Sequence, residues 1–561
     1  MSAPNAGRFD IGQSMNEAVA LQRQGKLRDA EKIYMRVLKA APDYFDALNL
    51  LGTVKAQLGR LGEAHRVLAA AVKINPNVPQ GHANLGQVLH ALKRNEEALA
   101  AFDKALALAP GDVAILNHRA NALLSLGRHQ EALAAFRQVL ARVPQHPEAR
   151  LNSGIAYAAL GSPKEAVAEF DHALSIMPGH AGAHYNRGLA LFNLGRHDDA
   201  IAAHDKALAA APEHAGGWFN RGQALAALNR FEDAIASYAR ARALRKDNAD
   251  VEFNEALALL TLGDYRRGFQ KYESRWRRTG MPQMRSRGRP LWLGEYPATR
   301  KTVLVHAEQG LGDTIQFARY VPLLAEAGAK VVLEVQSELR TLMARLDGVA
   351  AILARGEVPP PFDVHCPLGS LPLAFKTDPD TVPSRIPYLA ADDAHLAKWT
   401  ARLGGLARPR IAIAWAGNAS HVNDRNRSIA FARLSSLFAA PARFISIQRD
   451  VRSEDAAPLA AENRVMHVGA ELEDFADTAA VIALADLVIC VDTAVAHLAG
   501  AMGRPVWVLL PFNPDWRWTL KGDTSPWYPT ARLFRQTRLG DWDGVIARVG
   551  ADLAGFIAGA S

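Results

Sequence analysis

An interval of 34 residues runs through the first half of this chain and limits what it can fold into. Prolines recur at this interval, at Pro42, Pro76, Pro110, Pro144, Pro178 and Pro212. Alanines keep the same spacing, at Ala30, Ala64, Ala98, Ala132, Ala166, Ala200 and Ala234. Such a period is typical of stacked helical pairs, because one pair cannot bury its apolar face alone and relies on its neighbours.

Two series of glycines accompany this period. One precedes the alanines by five residues, at Gly25, Gly59, Gly127, Gly161 and Gly195. The other is Gly52, Gly86, Gly154, Gly188 and Gly222, and we expect it where the two helices of a pair cross closely. Each proline begins the turn into the next pair. These spacings resemble the tetratricopeptide repeat over residues 11–275, with about seven to eight copies, and the resemblance implies an α-helical superhelix with a concave groove.

One repeat position carries asparagine in most copies, on the first helix of each pair. Its members include Asn84, Asn152, Asn186, Asn220 and Asn254, whereas Leu50 and His118 interrupt the series. Asparagine offers both a donor and an acceptor, so the series either binds an extended polypeptide in the groove or braces neighbouring repeats. The repeats of O-linked N-acetylglucosamine transferases have a similar asparagine ladder that holds protein substrates, and this resemblance favours the groove.

The second half has a different pattern. After a basic linker at 276–300, which includes Arg277, Arg278, Arg285, Arg287 and Arg289, short β-branched runs alternate with helical stretches. This alternation predicts parallel α/β structure. We divide it into two Rossmann-like lobes at residues 301–390 and 406–561, with a ligand cleft at the carboxyl ends of the strands. The linker is either a solvated connector or a nucleic-acid patch, and the aromatic residues that a patch needs are not evident.

The stretch HAEQGLGD follows the first predicted strand. Gly310 and Gly312 permit a backbone conformation or a close approach that a side chain would block. Asp313 stands where the next helix begins, so it is either the cap of that helix or a carboxylate that accepts a proton from an acceptor hydroxyl.

Two later stretches also follow strands. In CVDTAVAH, the backbone amides at a helix start and the Thr493 hydroxyl can bind a phosphate. His497 lies one helical turn further along the same face. The alternative is a capped helix with a histidine in the core. In WAGNASHVNDRNRSI, which contains Asn418, Arg427 and Ser428, an arginine can neutralise a diphosphate, or the loop is merely solvated. Gln448 ends another strand, where it either binds a nucleotide or faces water.

As an ordered set, GLGD, the polar loop after IAIAWAG, and DTAVAHLAGAMGRPVW resemble the family 9, heptosyltransferase-like glycosyltransferases of the two-lobed GT-B fold. PFNPDWRW and SPWYP resemble a bacterial subgroup in which tetratricopeptide repeats precede this module. The resemblance implies that Asp313 is the candidate base. It also implies that the diphosphate is received by Asp492, Thr493, Ala494 and His497, and that Arg427 stands near a phosphate-binding lysine of the family.

Composition indicates the class of protein and its cellular compartment. Hydrophobic residues make up 49% and charged residues 22%, as in globular proteins, and the only cysteines are Cys366 and Cys490, which fits a reducing compartment. The first residues lack the basic and apolar segments of a secretory leader, and no apolar run is long enough to span a membrane. We therefore expect a cytoplasmic protein that neither inserts into membranes nor binds nucleic acid.

The leading hypothesis is a glycosyltransferase with no metal and no cofactor other than its nucleotide-sugar co-substrate, acting on serine or threonine hydroxyls of a protein recruited by the repeats. One alternative is a transferase that builds lipopolysaccharide or another glycan. Another is a non-catalytic scaffold with a degenerate nucleotide-binding module. The residues do not identify the sugar, the nucleotide, the acceptor, the oligomeric state or the stereochemical outcome.

Overall fold

The computed structural model describes residues 10–280, 284, 288–421 and 423–560. Residue 560 is described by its backbone alone. The described residues do not include Arg285 and Arg287 of the predicted linker. They also do not include residues 1–9, which form part of the segment compared above with a secretory leader. The chain divides into two compact units, Met1–Ala224 and Leu225–Ser561. The predicted fold class, helical repeats followed by an α/β module with parallel strands, is confirmed.

The first unit consists of antiparallel helical pairs with short turns. Its helices are α1 (Ile11–Arg23), α2 (Leu27–Ala40), α3 (Phe45–Gln57), α4 (Leu61–Ile74), α5 (Pro79–Ala91), α6 (Asn95–Leu108), α7 (Val113–Ser125), α8 (His129–Arg142), α9 (Pro147–Ala159), α10 (Pro163–Ile176), α11 (Ala181–Asn193), α12 (His197–Ala210) and α13 (Ala215–Ala227), which crosses into the second unit.

Glycines let the two helices of a pair approach, as the sequence predicts. A Cβ atom on Gly86 would lie 2.6 Å from the Phe102 ring, and one on Gly154 would lie 2.6 Å from the Phe170 ring. A larger residue at either position would displace an aromatic side chain that is buried in the core.

The turns between repeats share a hydrogen bond that the sequence analysis did not foresee. A side chain six residues after the turn proline contacts its carbonyl oxygen in four repeats, although the donor differs. The nitrogen-to-oxygen distances are 2.8 Å for His82 and Pro76, 3.1 Å for Arg150 and Pro144, 2.8 Å for His184 and Pro178, and 2.9 Å for Trp218 and Pro212. Each bond satisfies the carbonyl of a turn residue that lies just beyond the helix end.

In most helical pairs, the turn after the first helix contains a residue with positive φ, which favours glycine. Gly59 and Gly127 have φ of 78° and 74°, but the equivalent Lys93 has φ of 64°. An L side chain in this region costs roughly 1–3 kcal/mol.

Replacing Lys93 with glycine is therefore expected to raise the free energy of unfolding by roughly 0.5–1 kcal/mol, after the greater freedom of glycine in the unfolded chain is subtracted. Urea unfolding followed by circular dichroism measures this change. The matched variant Gly127→Ala should lower stability by about 1 kcal/mol, since it places a side chain at φ of 74°. A less stable Lys93→Gly protein would contradict the strain argument.

His204 occupies the core position that is phenylalanine in the three preceding repeats, at Phe102, Phe136 and Phe170. Its side chain is fully buried, and neither ring nitrogen has a hydrogen-bond partner within the described ranges. Burial lowers its pKa to about 4. The folded protein thus holds a neutral imidazole, whereas the unfolded chain takes up a proton as the pH falls below about 6.5.

The His204→Phe variant is expected to be more stable than the parent, and increasingly so at acid pH. The parent loses stability as pH falls from about 6.5 towards 4, because only its unfolded state binds the proton. At pH 5 this linkage amounts to roughly 2 kcal/mol. Urea midpoints between pH 5 and 7.5 measure it, with exposed His172→Phe as control. Parallel pH profiles for parent and His204→Phe would refute the assignment.

The second unit begins with α14 (Phe231–Leu244), α15 (Ala249–Thr261) and α16 (Tyr265–Tyr272), followed by a 3-10 turn at Glu273–Arg277. Its strands are β1 (Thr302–His306), β2 (Lys330–Val335), β3 (Val349–Ala354), β4 (Val364–Pro367), β5 (Arg410–Ala414), β6 (Arg443–Ser446), β7 (Val465–His467), β8 (Leu487–Val491), β9 (Val506–Leu510) and β10 (Ala531–Arg535). The helices among them are α17 (Leu311–Phe317), α18 (Tyr320–Glu326), α19 (Arg340–Met343), α20 (Leu371–Ala374), α21 (Asp393–Leu403), α22 (Asp424–Arg427), α23 (Ser453–Ala461), α24 (Phe475–Leu484), α25 (Ala494–Ala501) and α26 (Trp542–Ala560).

These strands form two parallel sheets. The first has the order β3-β2-β1-β4, and the second has the order β10-β9-β8-β5-β6-β7. The strand order reverses between β1 and β4 in one sheet and between β5 and β8 in the other. Loops that leave such a reversal point diverge and open a crevice at the carboxyl ends of the strands, where ligands bind in folds of this kind.

The helix α16, at the end of the predicted repeats, packs against the α/β module. Tyr265, Phe269 and Tyr272 share one apolar core with Trp516 and Trp527. The indole nitrogen of Trp527 donates to the Tyr265 hydroxyl at 3.1 Å. The boundary between the compact units falls after Ala224, so α14, α15 and α16, which lie within the predicted repeats, group with the strands.

The predicted linker is partly packed in its described part. Trp292 is buried, and its backbone N–H donates to His365 O at 2.9 Å. Arg277 and Arg278 form ion pairs with Glu252 and Asp250. Two of its cations are therefore already paired within the protein. Within the described residues, we find no helix of sufficient length and hydropathy to span a bilayer.

Candidate active site

The loops that follow β1 and β8 meet at one close contact. A Cβ atom on Gly312 would lie 2.8 Å from His497 Cδ2 and 3.5 Å from Ala494 Cα. Gly312 is therefore required by the approach of α25 to α17, whereas Gly310 has an ordinary φ of −74°. This contact brings the predicted Asp313 and Asp492 regions to the same place.

Asp313 is the third residue of α17, and Gly310 is the residue that caps the helix. The Asp313 Oδ2 atom accepts a hydrogen bond of 2.9 Å from the Gly310 N–H, so the carboxylate stabilises the helix start from within. The other oxygen, Oδ1, pairs with the Arg517 guanidinium. One carboxylate oxygen of Asp313 therefore stabilises the helix start, as the capping alternative predicts, and the other oxygen pairs with a cation.

Arg517 was not predicted from the sequence, and it is the centre of this cluster. Its guanidinium binds Asp313, Asp515 at 2.9 Å and the Gln316 side-chain oxygen, and it lies 4.5 Å above the Trp516 ring. Burial opposes its charge, but the carboxylates of Asp515 and Asp313 raise the pKa of Arg517 above its ordinary value. The only sequence signal was its place in PFNPDWRW.

Arg427 lies at the reversal point of the larger sheet. Its Nη1 atom donates to the Asp492 carbonyl at 3.0 Å, which joins the loops after β5 and β8. A Cβ atom on Gly417 would lie 2.6 Å from the guanidinium, so glycine makes room for it. Burial and the nearby Asp515 carboxylate raise the pKa of the Asp492 carboxyl, whereas Arg427 and Arg517 oppose this rise.

Several buried polar groups around this junction have no hydrogen-bond partner among the residues that the structure describes. They include the Thr493 hydroxyl, the Gln316 side-chain nitrogen and Arg427 Nε, which lies 3.8 Å from the Asp424 carboxylate as an ion pair. Thr493 directly precedes α25, and its hydroxyl does not cap that helix. Each such group costs roughly 1–3 kcal/mol unless something satisfies it. Their grouping indicates a place that a polar ligand completes.

His497 is a packing residue in this arrangement. Its ring is buried, stacks on Trp518 with centroids 5.3 Å apart, and its Nδ1 lies 3.0 Å from the Tyr528 hydroxyl. Burial, followed by the neighbouring arginines, lowers its pKa well below the ordinary value. The imidazole is therefore neutral, and it packs against Trp518 and Tyr528.

Three predicted nucleotide-binding residues have other partners. The Gln448 amide bonds to the backbone of Trp415 and Ala416 through both its ends, so it braces the loop after β5 instead of facing water or a ligand. The Ser428 hydroxyl donates to Asp424 at 2.7 Å and accepts from Gly417 N–H at 3.1 Å. The Asn418 side chain is exposed, and its oxygen accepts from Ser420 at 2.9 Å.

Glu308 lies in HAEQGLGD but was not predicted as a site residue. Its side chain is buried just after β1. Its Oε1 atom accepts from Arg275 at 3.0 Å and from Gly369 N–H at 3.1 Å. Burial raises the pKa of Glu308 to about 7, even though the Arg275 guanidinium acts in the opposite direction. Glu308 is therefore a second carboxyl group at the reversal point between β1 and β4.

The asparagine series lies on the first helices of the pairs, and its amide nitrogens already have partners. Asn84, Asn152 and Asn220 donate to Asn49, Asn121 and the Tyr185 hydroxyl of the preceding repeats, at 2.9, 2.8 and 3.0 Å. Asn186 and Asn254 donate to carbonyls of their own helices. These contacts favour the bracing alternative for the donors, while groove binding stays a prediction.

Metal-ligand geometry occurs elsewhere in the described part of the chain. His395, Asp474 and Asp477 bring ligand atoms within 4.8 Å of one another. Asp477 already accepts from the Trp399 indole at 2.6 Å, and Asp474 caps α24. This cluster includes none of the residues at the Gly312 contact.

Sequence profiles of known families match both halves. The tetratricopeptide-repeat profile matches residues 15–79, 51–113, 118–181, 172–215, 185–251 and 219–280. The profile of glycosyltransferase family 9 (heptosyltransferase) matches residues 443–535, from β6 to β10. The chain joins tetratricopeptide repeats to a glycosyltransferase family 9 domain. The family 9 range contains Asp492, His497 and Arg517, but Asp313 and Arg427 precede it.

The chain is also similar to individual proteins. The chain is 26% identical over 324 residues to Protein FlbA of Caulobacter vibrioides, and the match covers 52% of each chain, so it spans about half the length of that relative. Solved repeat structures are also similar. A tetratricopeptide repeat protein from Parabacteroides merdae has 20% identity and a TM-score of 0.36 over 44% of this chain and 98% of its own. A thermophilic repeat protein of Thermus thermophilus has 29% identity and a TM-score of 0.28 over 33% and 100%.

Proposed function

We propose that the protein transfers a sugar from a nucleotide-sugar donor to an acceptor hydroxyl, with its two parallel sheets serving as the lobes of a GT-B enzyme. The family 9 domain supports a glycosyltransferase. The observation that carries the proposal is the set of unsatisfied groups on Arg427, Thr493 and Gln316 around the contact between α17 and α25. A diphosphate has the acceptor oxygens that such groups require.

In this proposal the donor diphosphate lies against the start of α25. Backbone amides there, the Thr493 hydroxyl and the Arg427 guanidinium offset the charge that develops on the leaving nucleoside diphosphate. Asp313 accepts the proton of the acceptor hydroxyl as the new glycosidic bond forms. The proposal assigns charge neutralisation to these residues and not to a metal ion.

The acceptor we propose is a serine or threonine of a protein that the repeats recruit in the cytoplasm. The repeats suggest protein interaction, because stacked helical pairs provide extended binding surfaces. A transferase that assembles glycans would use the same site with a different acceptor. A scaffold that binds no nucleotide would leave the groups on Arg427, Thr493 and Gln316 without a partner.

Thermal unfolding with a panel of nucleotides and nucleotide sugars tests the donor part of the proposal. A ligand at about 100 times its dissociation constant should stabilise the protein by about 2.7 kcal/mol. We expect one nucleoside diphosphate and its sugar conjugates to raise the melting temperature selectively. Uniform or absent shifts across the panel would favour the scaffold. Incubation of the stabilising donor with candidate proteins, followed by mass spectrometry, then identifies the acceptor class.

A further inference from the structure

The contact between Arg517 and Asp313 occupies the carboxylate that accepts a proton in the proposed reaction. Asp313 cannot readily accept a proton while one of its oxygens binds the Gly310 N–H and the other binds a buried guanidinium. The side chain of Arg517 is only 8% exposed, so water screens this ion pair weakly.

Arg517 also lies within electrostatic reach of the proposed diphosphate position. It binds the Gln316 side-chain oxygen, and the nitrogen of the same amide is one of the groups without a partner. Its other partner, Asp313, directly follows Gly312, which lies against Ala494 at the start of α25. A diphosphate placed there would therefore compete with Asp313 for the same guanidinium.

Asp515 gives Arg517 a second anchor. The Arg517 Nη1 atom donates to Asp515 at 2.9 Å, and this bond is independent of the Nη2 atom that contacts Asp313. The guanidinium can thus exchange one partner and keep the other.

Building on the proposed function, we propose that Arg517 exchanges partners when the donor binds. Its Nη2 atom leaves Asp313 and pairs with the donor diphosphate, and this exchange releases the Asp313 carboxylate for catalysis. The acceptor hydroxyl then loses its proton to Asp313, and its oxygen forms a bond to the anomeric carbon. The bond from that carbon to the phosphate oxygen breaks, and the nucleoside diphosphate leaves with the electron pair. Donor binding thereby precedes activation of the acceptor.

Calorimetric titration with uridine, guanosine, cytidine, adenosine and thymidine diphosphates tests this exchange in the full chain. Asp313→Asn should bind the preferred diphosphate about tenfold more tightly than the parent, because no carboxylate competes for Arg517. Arg517→Met should bind it at least about tenfold more weakly. The double variant should match Arg517→Met, since Asp313 has no guanidinium left to release. Exposed Asp347→Asn, in the same lobe, is the control and should bind like the parent.

The double variant separates exchange from simple charge repulsion. If it keeps the tighter binding of Asp313→Asn, repulsion by the Asp313 charge explains the gain, and the exchange is refuted. Equal affinity of the parent and Asp313→Asn would also refute it. If no diphosphate binds to any variant, including Asp347→Asn, the proposed function itself fails. Melting curves establish that each variant is folded.

Discussion

Asp313→Asn is expected to slow sugar transfer at least about 100-fold, the usual lower range for loss of a positioned general base. The amide oxygen can still accept the Gly310 N–H, so α17 keeps its start and the fold is preserved. The lost property is the capacity to accept a proton. Initial rates at saturating donor and acceptor measure the effect, because they are independent of any change in donor affinity.

Asp347→Asn serves again as the matched control, since that carboxylate is exposed in the same lobe and pairs with Arg385 among the described residues. It should retain the parental rate. Undiminished turnover in Asp313→Asn would exclude Asp313 as the base. Glu308 would then be the next carboxyl to replace, as Glu308→Gln, because it lies buried after the same strand.

Arg427→Met is expected to reduce turnover about 100-fold to 1000-fold, because the leaving diphosphate loses a preorganised cation. Methionine keeps much of the apolar length of the side chain, so the packing against Gly417 changes little. Steady-state rates with varied donor, together with diphosphate titrations, measure the loss in both turnover and affinity.

The same short helix offers a control for this variant. Arg425 lies two residues earlier on α22 and is exposed. Arg425→Met should behave like the parent, and Arg427→Lys should recover part of the activity because it restores the charge without the forked geometry. Equal losses in Arg425→Met and Arg427→Met would mean that net charge, and not the position of Arg427, governs donor binding.

The repeat architecture was predictable because its physical cause is local. A proline, a small residue and a glycine at fixed offsets are each required by a turn or a close crossing within 34 residues. The parallel sheets were likewise predictable from alternating apolar runs. The packing of Tyr265 against Trp527 was not, because residues 262 positions apart meet only once the sheets have formed.

The site was predictable only where a motif is contiguous. Gly312, Asp313, Asp492 and Thr493 stand in short runs beside strands, and these runs meet in space. Arg517 and Glu308 gain their significance from partners on other elements, namely Asp313 and Arg275. Gln448 shows the converse, since a strand-end amide suited to a nucleotide instead satisfies two backbone N–H groups.

The apolar core that joins α16 to the carboxyl-terminal sheet determines where the α/β module can be separated from the repeats. A recombinant fragment that starts at residue 301, the predicted lobe boundary, would leave Trp516 and Trp527 without Tyr265 and Phe269. It would also lose the Asn229 side chain that donates to Phe512 O at 2.7 Å. Crystallisation or directed-evolution work on the α/β module should therefore use a fragment that begins near residue 225, so that it includes α14, α15 and α16.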